Sequence, residues 1–321
     1  MHSFQELSIE FDQRFTARHF PDEPSSLYIP AQYILDLGGK RIRPVMCLMA
    51  NELVNEIDPD AYLAAAAIEL FHNFTLIHDD IMDKAPLRRG KETVHHKYGE
   101  ATALLSGDVM LVAAYDYLNK IKPQHLQKVI RLFNKTARQV CEGQQIDMDF
   151  ELRTTVSFEE YVNMIELKTS VLLAASLQLG ALLGGAGEGN QHNLYEFGRN
   201  LGIAFQVQDD YLDVFGDPHK VGKQIGGDIV ANKKTFLLIH ALEIASPVQL
   251  DVLKEAMNAE NNSKIERVTN IFKDCNVDEW ARELKNTYYK KAMQHLDDIA
   301  VLSVRKKPLA MLADYLLIRE F

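Results

Sequence analysis

Two segments of this chain read Asp-Asp-x-x-Asp: Asp79-Asp80-Ile81-Met82-Asp83 and Asp209-Asp210-Tyr211-Leu212-Asp213. Each lies in an apolar stretch with helical spacing, after Phe74-Thr75-Leu76-Ile77-His78 in the first case and Ile203-Ala204-Phe205-Gln206-Val207 in the second. Residues four apart share a helix face, so Asp79 aligns with Asp83 and Asp209 with Asp213. Asp80 and Asp210 point roughly 100° away from their neighbours. Carboxylates this close repel each other, and apolar surroundings make the repulsion worse. Divalent cations remove the conflict. An all-oxygen, carboxylate-rich set with no His or Cys partner favours hard Mg²⁺ or Mn²⁺ over zinc. Mg²⁺ bound by a few carboxylates completes its shell with water and substrate phosphates. The expected chemistry is therefore that of an enzyme holding a phosphate-bearing substrate between two acidic helices. One such motif alone is more often a solvated acidic face; two copies in apolar contexts are not.

Basic groups answer the acidic ones. Gly38-Gly39-Lys40-Arg41-Ile42-Arg43-Pro44 is a compact cationic turn feeding a helix, a setting that suits a diphosphate. Arg88-Arg89-Gly90 follows the first acidic motif by five residues, and adjacent arginines on non-helical backbone can serve two separate anions. Lys168-Thr169 falls inside an apolar helical run, where a lysine needs an anion or a route to solvent. Gly222-Lys223 through Asn232-Lys233-Lys234-Thr235 adds three lysines on a glycine-bearing loop that reads as a lid. Gly143-Gln144 with Asp147, and Gln206 one turn before Asp209, complete the polar set. Singly, each of these reads as a surface charge or a structural amide; together they describe anions, metals and cations in one apolar cavity.

Helices must position these groups. Apolar residues recur at three and four, and no convincing period-two run appears. Helices are expected at about 3–20, 31–37, 41–56, 60–84, 99–119, 123–150, 157–185, 190–215, 233–244, 247–257, 262–273, 277–296 and 305–319. Several are apolar on more than one face, notably 60–78 and 171–183, which predicts buried central helices in a large all-α bundle. No linker divides the 321 residues, so a single domain over 1–321 is expected. The net charge of −10 argues against nucleic acid. Cys47, Cys141 and Cys275 are odd in number and unpaired in spacing, as in a reduced cytoplasmic protein. The polar opening Met1–Glu6 predicts no secretory leader, and the lack of a long uninterrupted apolar run predicts no membrane insertion.

In this order, the motifs resemble those of the trans-isoprenyl diphosphate synthases, the polyprenyl synthetase family. The resemblance runs from about Tyr33 to Thr235 and rests on Gly38–Pro44, Glu69-Leu-Phe-His72, Leu76–Asp83, Arg88–Gly90, Gly143-Gln144 with Asp147, Lys168-Thr169, Phe205–Asp213, Gly222-Lys223 and Lys233–Thr235. One departure is Asn232, where the family usually has glycine; it bears on the local loop geometry. The resemblance implies an isoprenoid-synthase-type helical bundle around a central apolar cavity. It implies Mg²⁺, about three ions per active site with Mn²⁺ as a substitute, ligated by Asp79, Asp83 and Asp209 with Asp80, Asp210 and Asp213 supporting or joining them. Arg88, Lys168, Lys223 and Lys233 would contact an allylic diphosphate. Lys40, Arg43, His72 and Arg89 would hold isopentenyl diphosphate. Thr169, Gln206 and the Lys168 carbonyl would face the developing allylic cation. The family is mostly homodimeric, so a homodimer is expected.

Product length should be set beside the first acidic helix. Phe74 and Thr75 lie one turn before Asp79; a ring at Phe74 would floor the groove, with Phe71, a turn earlier, as the other candidate. In the family an aromatic five positions before the motif goes with short products, so fifteen to twenty carbons are expected, against a longer-chain alternative. A terpene cyclase also uses Asp-Asp-x-x-Asp, but its second metal motif is normally of another type, and it would leave Lys40, Arg43 and Arg89 without a role. A non-catalytic partner subunit usually loses an acidic motif, and both are intact here.

Overall fold

The computed structural model describes residues 1–16, 18–217, 225–257 and 263–317. Within them the chain is all-α apart from one two-stranded hairpin. The chain divides into two units, Met1–Lys135 with Ala175–Tyr195 and Ile299–Leu309, and Thr136–Ala174 with Glu196–Asp298 and Ala310–Phe321.

The first unit carries α1 (Phe4–Phe15), α2 (Ser25–Asp36), α3 (Ile42–Val54) and α4 (Pro59–Met82), then the hairpin β1 (Leu87–Arg88) and β2 (Lys91–Glu92), α5 (Val94–Tyr98) and α6 (Glu100–Leu118). Helix α4 starts where Asp58 accepts the Asp60 N–H at 2.8 Å and Pro59 takes the first helical position, whose missing N–H costs nothing there. Its Ala64–Ala67 run and Ile68, Leu70 and Phe71 are buried, packed against α3 and α6. This burial fixes the rotation of α4 and hence the direction of the motif at its C-terminal end. The hairpin follows from Arg89-Gly90: both have positive φ, 53° and 73°, as a two-residue primed turn requires.

Helix α7 (Pro123–Leu152) leads into the second unit, where α8 (Phe158–Ile165) opens on a capping box: Ser157 accepts the Glu160 N–H at 3.2 Å and Glu160 accepts the Ser157 N–H at 2.9 Å. A π turn, Glu166–Ser170, joins α8 to α9 (Val171–Leu183). Then come α10 (Glu188–Phe215), α11 (Gly227–Val230), α12 (Phe236–Ile244), α13 (Pro247–Met257), α14 (Lys264–Asp274), α15 (Val277–Asp297) and α16 (Ser303–Leu317). Tyr161, Ile203, Val207, Phe236, Leu253 and Phe272 belong to the core of this second unit.

Several expectations change. The first helix stops at Phe15 rather than near 20, with Thr16 as its C-cap; α2 begins at Ser25 rather than 31, because Pro24 is an extended N-cap and Pro30 is accommodated inside the helix. The helix expected over 157–185 is interrupted by the π turn. The segment from 233 becomes helical only at Phe236, with α11 before it. Phe158–Leu183 is long and apolar enough to cross a membrane by composition, and 72% of that window is buried inside the fold, as for a core helix.

Candidate active site

The first acidic motif ends α4. Asp80 is 2% exposed, and Arg88 grips it with two parallel bonds, Nε to Oδ2 at 2.8 Å and Nη2 to Oδ1 at 2.7 Å. That bidentate pair neutralises a carboxylate that burial alone would make costly. Asp79 and Asp83 occupy the other face, Asp79 half-buried and Asp83 exposed at the helix end. Arg88 is thus committed to Asp80. Burial opposes its charge, and the Asp80 bond and charge more than offset this, so its pKa is raised.

Arg89 points elsewhere. A Cβ on Gly39 would lie 3.0 Å from Arg89 Nη2, so the guanidinium rests against the bare backbone of the Gly38–Arg43 turn. On that turn Arg41 takes left-handed φ of 50°, a strain of roughly 1 kcal/mol for a residue with a Cβ. Two ion pairs hold it there, a buried one from Nη1 to Glu69 at 2.6 Å and a part-buried one from Nε to Asp12 at 2.9 Å. Arg41 is therefore an anchor, and it sets the residues on either side. Lys40 is exposed on the same turn. Arg43 Nη1 donates to His72 Nε2 at 3.2 Å, and its buried Nε has no partner among the described residues. Burial, then the charges of Arg43, Arg89, Arg88 and Arg41, pushes the His72 pKa well below its ordinary value. A neutral imidazole that accepts from Arg43 carries its proton on Nδ1. Gly39, Arg43, His72 and Arg89 therefore form one cationic cluster with an unpartnered guanidinium donor, chemistry that suits an anion.

The candidates for the floor lie on α4. Phe71 is 1% exposed, its ring 5.3 Å from Phe133 and 5.6 Å from Phe74. Phe74 is half-buried and meets His78 edge-on at 4.6 Å. Thr75 donates its hydroxyl to the His72 carbonyl at 2.8 Å.

In the second unit, Asp209 is exposed while Asp210 is 5% exposed. Tyr161 donates its hydroxyl to Asp210, and Gln206 Nε2 donates to it at 2.8 Å. Burial and the nearby charge of Asp228 push the Asp210 carboxyl up to about 7 against those bonds. Gln206 also accepts from the Thr169 hydroxyl at 3.4 Å, so the two polar groups expected to act together do meet. Lys168 Nζ reaches Asp147 at 2.5 Å. The π turn carries Lys168 and Thr169: Val171 N–H bonds Glu166 O five residues back, inserting one extra residue into the turn. Gly143 permits it, because a Cβ there would lie 2.3 Å from Lys168 N.

Asp213 accepts the Asp228 N–H at 3.0 Å and, through its carbonyl, the Gly226 N–H at 2.6 Å, tying α11 to α10. Lys233 stands 3.6 Å from Asp228. Asn232 has φ of 54°, a left-handed conformation that glycine and asparagine tolerate best, and its Oδ1 accepts from Lys264 at 2.7 Å. The departure from the family glycine therefore preserves the turn. Gly222 and Lys223 lie outside the described residues.

The donor chemistry fits a hard divalent ion. The candidate ligands are carboxylate oxygens, and the adjacent His78 is engaged with the Leu104 carbonyl at 3.3 Å. Among the described residues no three acidic, His or Cys side chains already converge; Mg²⁺ held by a few carboxylates generally completes its shell with water and phosphate oxygens. Sequence reasoning missed Tyr161, Asp228 and the anchoring pair Arg41–Glu69. The buried phenol beside a second acidic motif carried no spacing signal.

A profile of the polyprenyl synthetases matches residues 24–275. The chain is 40% identical to a geranylgeranyl diphosphate synthase of Methanosarcina mazei over 93% of this chain and 91% of the relative. It is 35% identical to a geranylfarnesyl diphosphate synthase of Natronomonas pharaonis, covering 93% and 92%. Among solved structures it matches a geranylgeranyl pyrophosphate synthase with a TM-score of 0.95, 42% identity and 99% of both chains covered.

Proposed function

The chain belongs to the polyprenyl synthetase family and is a prenyltransferase of short-chain trans-prenyl diphosphate synthesis, and on that premise we propose that it condenses isopentenyl diphosphate head to tail with allylic diphosphates and stops at twenty carbons. Its fold is the all-α isoprenoid synthase fold, and the whole chain is read as one catalytic domain. The observation that carries the condensation is the pocket of Arg43, His72 and Arg89 against Gly39: a cyclase, which needs only an allylic diphosphate, has no use for it.

Arg43, the neutral His72 and Arg89 bind the diphosphate of isopentenyl diphosphate, with Lys40 at the rim. Asp79 and Asp83 of the first unit would hold Mg²⁺, as would Asp209 of the second, while Arg88 keeps Asp80 neutralised and Tyr161 and Gln206 hold Asp210 in place. Bound Mg²⁺ supplies charge stabilisation to the departing diphosphate, worth several kcal/mol. Lys168, oriented by Asp147, and Lys233 would contact the same diphosphate, as would Lys223 by the family resemblance. As the allylic C–O bond breaks, its electron pair leaves with diphosphate and the Thr169–Gln206 dipoles and the Lys168 carbonyl face the cation. The isopentenyl double bond attacks, and the proton lost from the adduct goes to the released diphosphate. Closure over the apolar cavity keeps water from trapping the cation.

A homodimer is proposed from α6, whose outer face exposes Leu104 by 48%, Leu105 by 55% and Val112 by 60%, with Asp108 and Asp116 on the same side. The enzyme is proposed to act in the cytoplasm.

The test uses labelled isopentenyl diphosphate. Label should enter acid-labile prenyl product only when Mg²⁺ and an allylic starter are both present, and Asp79→Ala should reduce the rate at least about 100-fold. Hydrocarbon formed from the allylic substrate alone would move the reading to a cyclase.

A further inference from the structure

We propose that His78 and Gly107 set product length through Phe74: the imidazole, wedged against the side-chain-free backbone of Gly107, is a positioning residue that holds the ring stopping the growing chain. This rests on the reading of Phe74 as the floor.

Phe71, Phe74 and His78 follow one another at three and four on α4 and so share a face. The ring of Phe74 is bounded on one side by Phe71, at 5.6 Å. That side is stiff: Phe71 packs edge-on against Phe133 at 5.3 Å, Phe133 against Tyr115 at 5.4 Å, and the Tyr115 hydroxyl donates to Asn134. On the other side stands His78, whose ring meets Phe74 at 4.6 Å and 60°.

The orientation of His78 is set from α6. Its Nε2–H donates to the Leu104 carbonyl at 3.3 Å, and Asp108 Oδ1 is 3.7 Å away. Between those two residues in sequence is Gly107. A Cβ there would stand 2.4 Å from His78 Nε2 and 2.5 Å from its Cδ2, so an imidazole in this place and a side chain at 107 exclude each other. The same Cβ would stand 3.5 Å from Phe74 Cδ2, ordinary contact distance. His78 and a methyl at 107 therefore compete for one space, and either one alone can press on Phe74. A histidine beside Asp79 invites a reading as base or ligand; its hydrogen bond and its packing are instead spent on α6 and Phe74.

The full-length enzyme would be assayed with Mg²⁺, isopentenyl diphosphate and the fifteen-carbon allylic diphosphate, and product chains resolved by mass. Wild type would be compared with Phe74→Ala, His78→Ala, Gly107→Ala and the double variant His78→Ala/Gly107→Ala, each with its melting temperature recorded. His78→Ala removes the support, and Gly107→Ala displaces it; each should raise the fraction one isoprene unit longer than the wild-type product at least fivefold. The KM for isopentenyl diphosphate should stay unchanged in Gly107→Ala. The double variant should return toward the wild-type distribution, since the methyl then fills the vacated space. If Phe74→Ala lengthens the product but both single variants keep the wild-type distribution, Phe74 acts without this support and the proposal fails. A double variant longer than either single variant also overturns it. If Phe74→Ala leaves length unchanged, the floor reading itself falls and takes the proposal with it. The two single changes lie on different helices, so a folding defect in one leaves the other to decide.

Discussion

His72 stays uncharged because burial and four surrounding guanidiniums disfavour a further positive charge. Its folded pKa lies below its unfolded one, so unfolding takes up a proton as pH falls through the unfolded value of about 6.5. Its contribution to stability is complete above that value and is lost progressively below it. Urea unfolding at pH 7.5 and 5.5 should show a smaller pH-dependent loss for His72→Gln than for wild type; an equal loss would place the titration elsewhere. The adjacent arginines give a sharper contrast. Arg88→Gln leaves Asp80 buried without its partner and should cost about 2 kcal/mol of stability. Arg89→Gln breaks no ion pair with Asp80; it should leave stability nearly unmoved and raise the KM for isopentenyl diphosphate about tenfold, or roughly 1.4 kcal/mol. That the two point apart was legible in Arg88-Arg89, because adjacent side chains on non-helical backbone can aim in different directions. That Arg41, between the expected ligands Lys40 and Arg43, is an anchor was not legible: its partners Asp12 and Glu69 lie 29 and 28 residues away.

The π turn at Glu166–Ser170 is the element that aims Lys168 and Thr169, and it depends on Gly143 of α7. Gly143→Ala drives a methyl to 2.3 Å from Lys168 N, against backbone that cannot swing aside. It should lower stability by about 1–3 kcal/mol and reduce turnover well beyond what the stability loss explains, measured by thermal melts alongside kcat. Unchanged kcat would mean that the turn does not position the lysine. Most helices were legible because apolar residues recur at three and four along them, and both acidic motifs fall on helices as expected. The π turn was not, since one inserted residue leaves the hydrophobic pattern of 157–185 almost intact. The hairpin Leu87–Glu92 escaped for a different reason: two residues per strand are too few to show alternation.

For the molecule as a whole, the outer face of α6 is the feature that asks for a second copy. Leu105 and Val112 lie seven apart on one side of it, interleaved with the exposed Asp108 and Asp116, and covering the two apolar side chains removes their surface from water. Leu105→Glu/Val112→Glu should move the mass in light scattering from twice the 36.5 kDa chain toward the chain itself; a wild-type protein already at the chain mass would contradict the dimer. The all-α class and the order of motifs along the chain were legible from sequence. Which of the six motif aspartates are spoken for was not, because Arg88, Tyr161 and the Asp228 amide reach Asp80, Asp210 and Asp213 only in the folded chain. The central claim is condensation ending at a short chain. The most direct measurement supplies Mg²⁺, isopentenyl diphosphate and, in separate reactions, the five-, ten- and fifteen-carbon allylic diphosphates, and weighs the prenyl products. Elongation from every accepted starter to a common twenty-carbon product is the predicted result. Starters returned without added isoprene units, or products of thirty carbons and more, would contradict it.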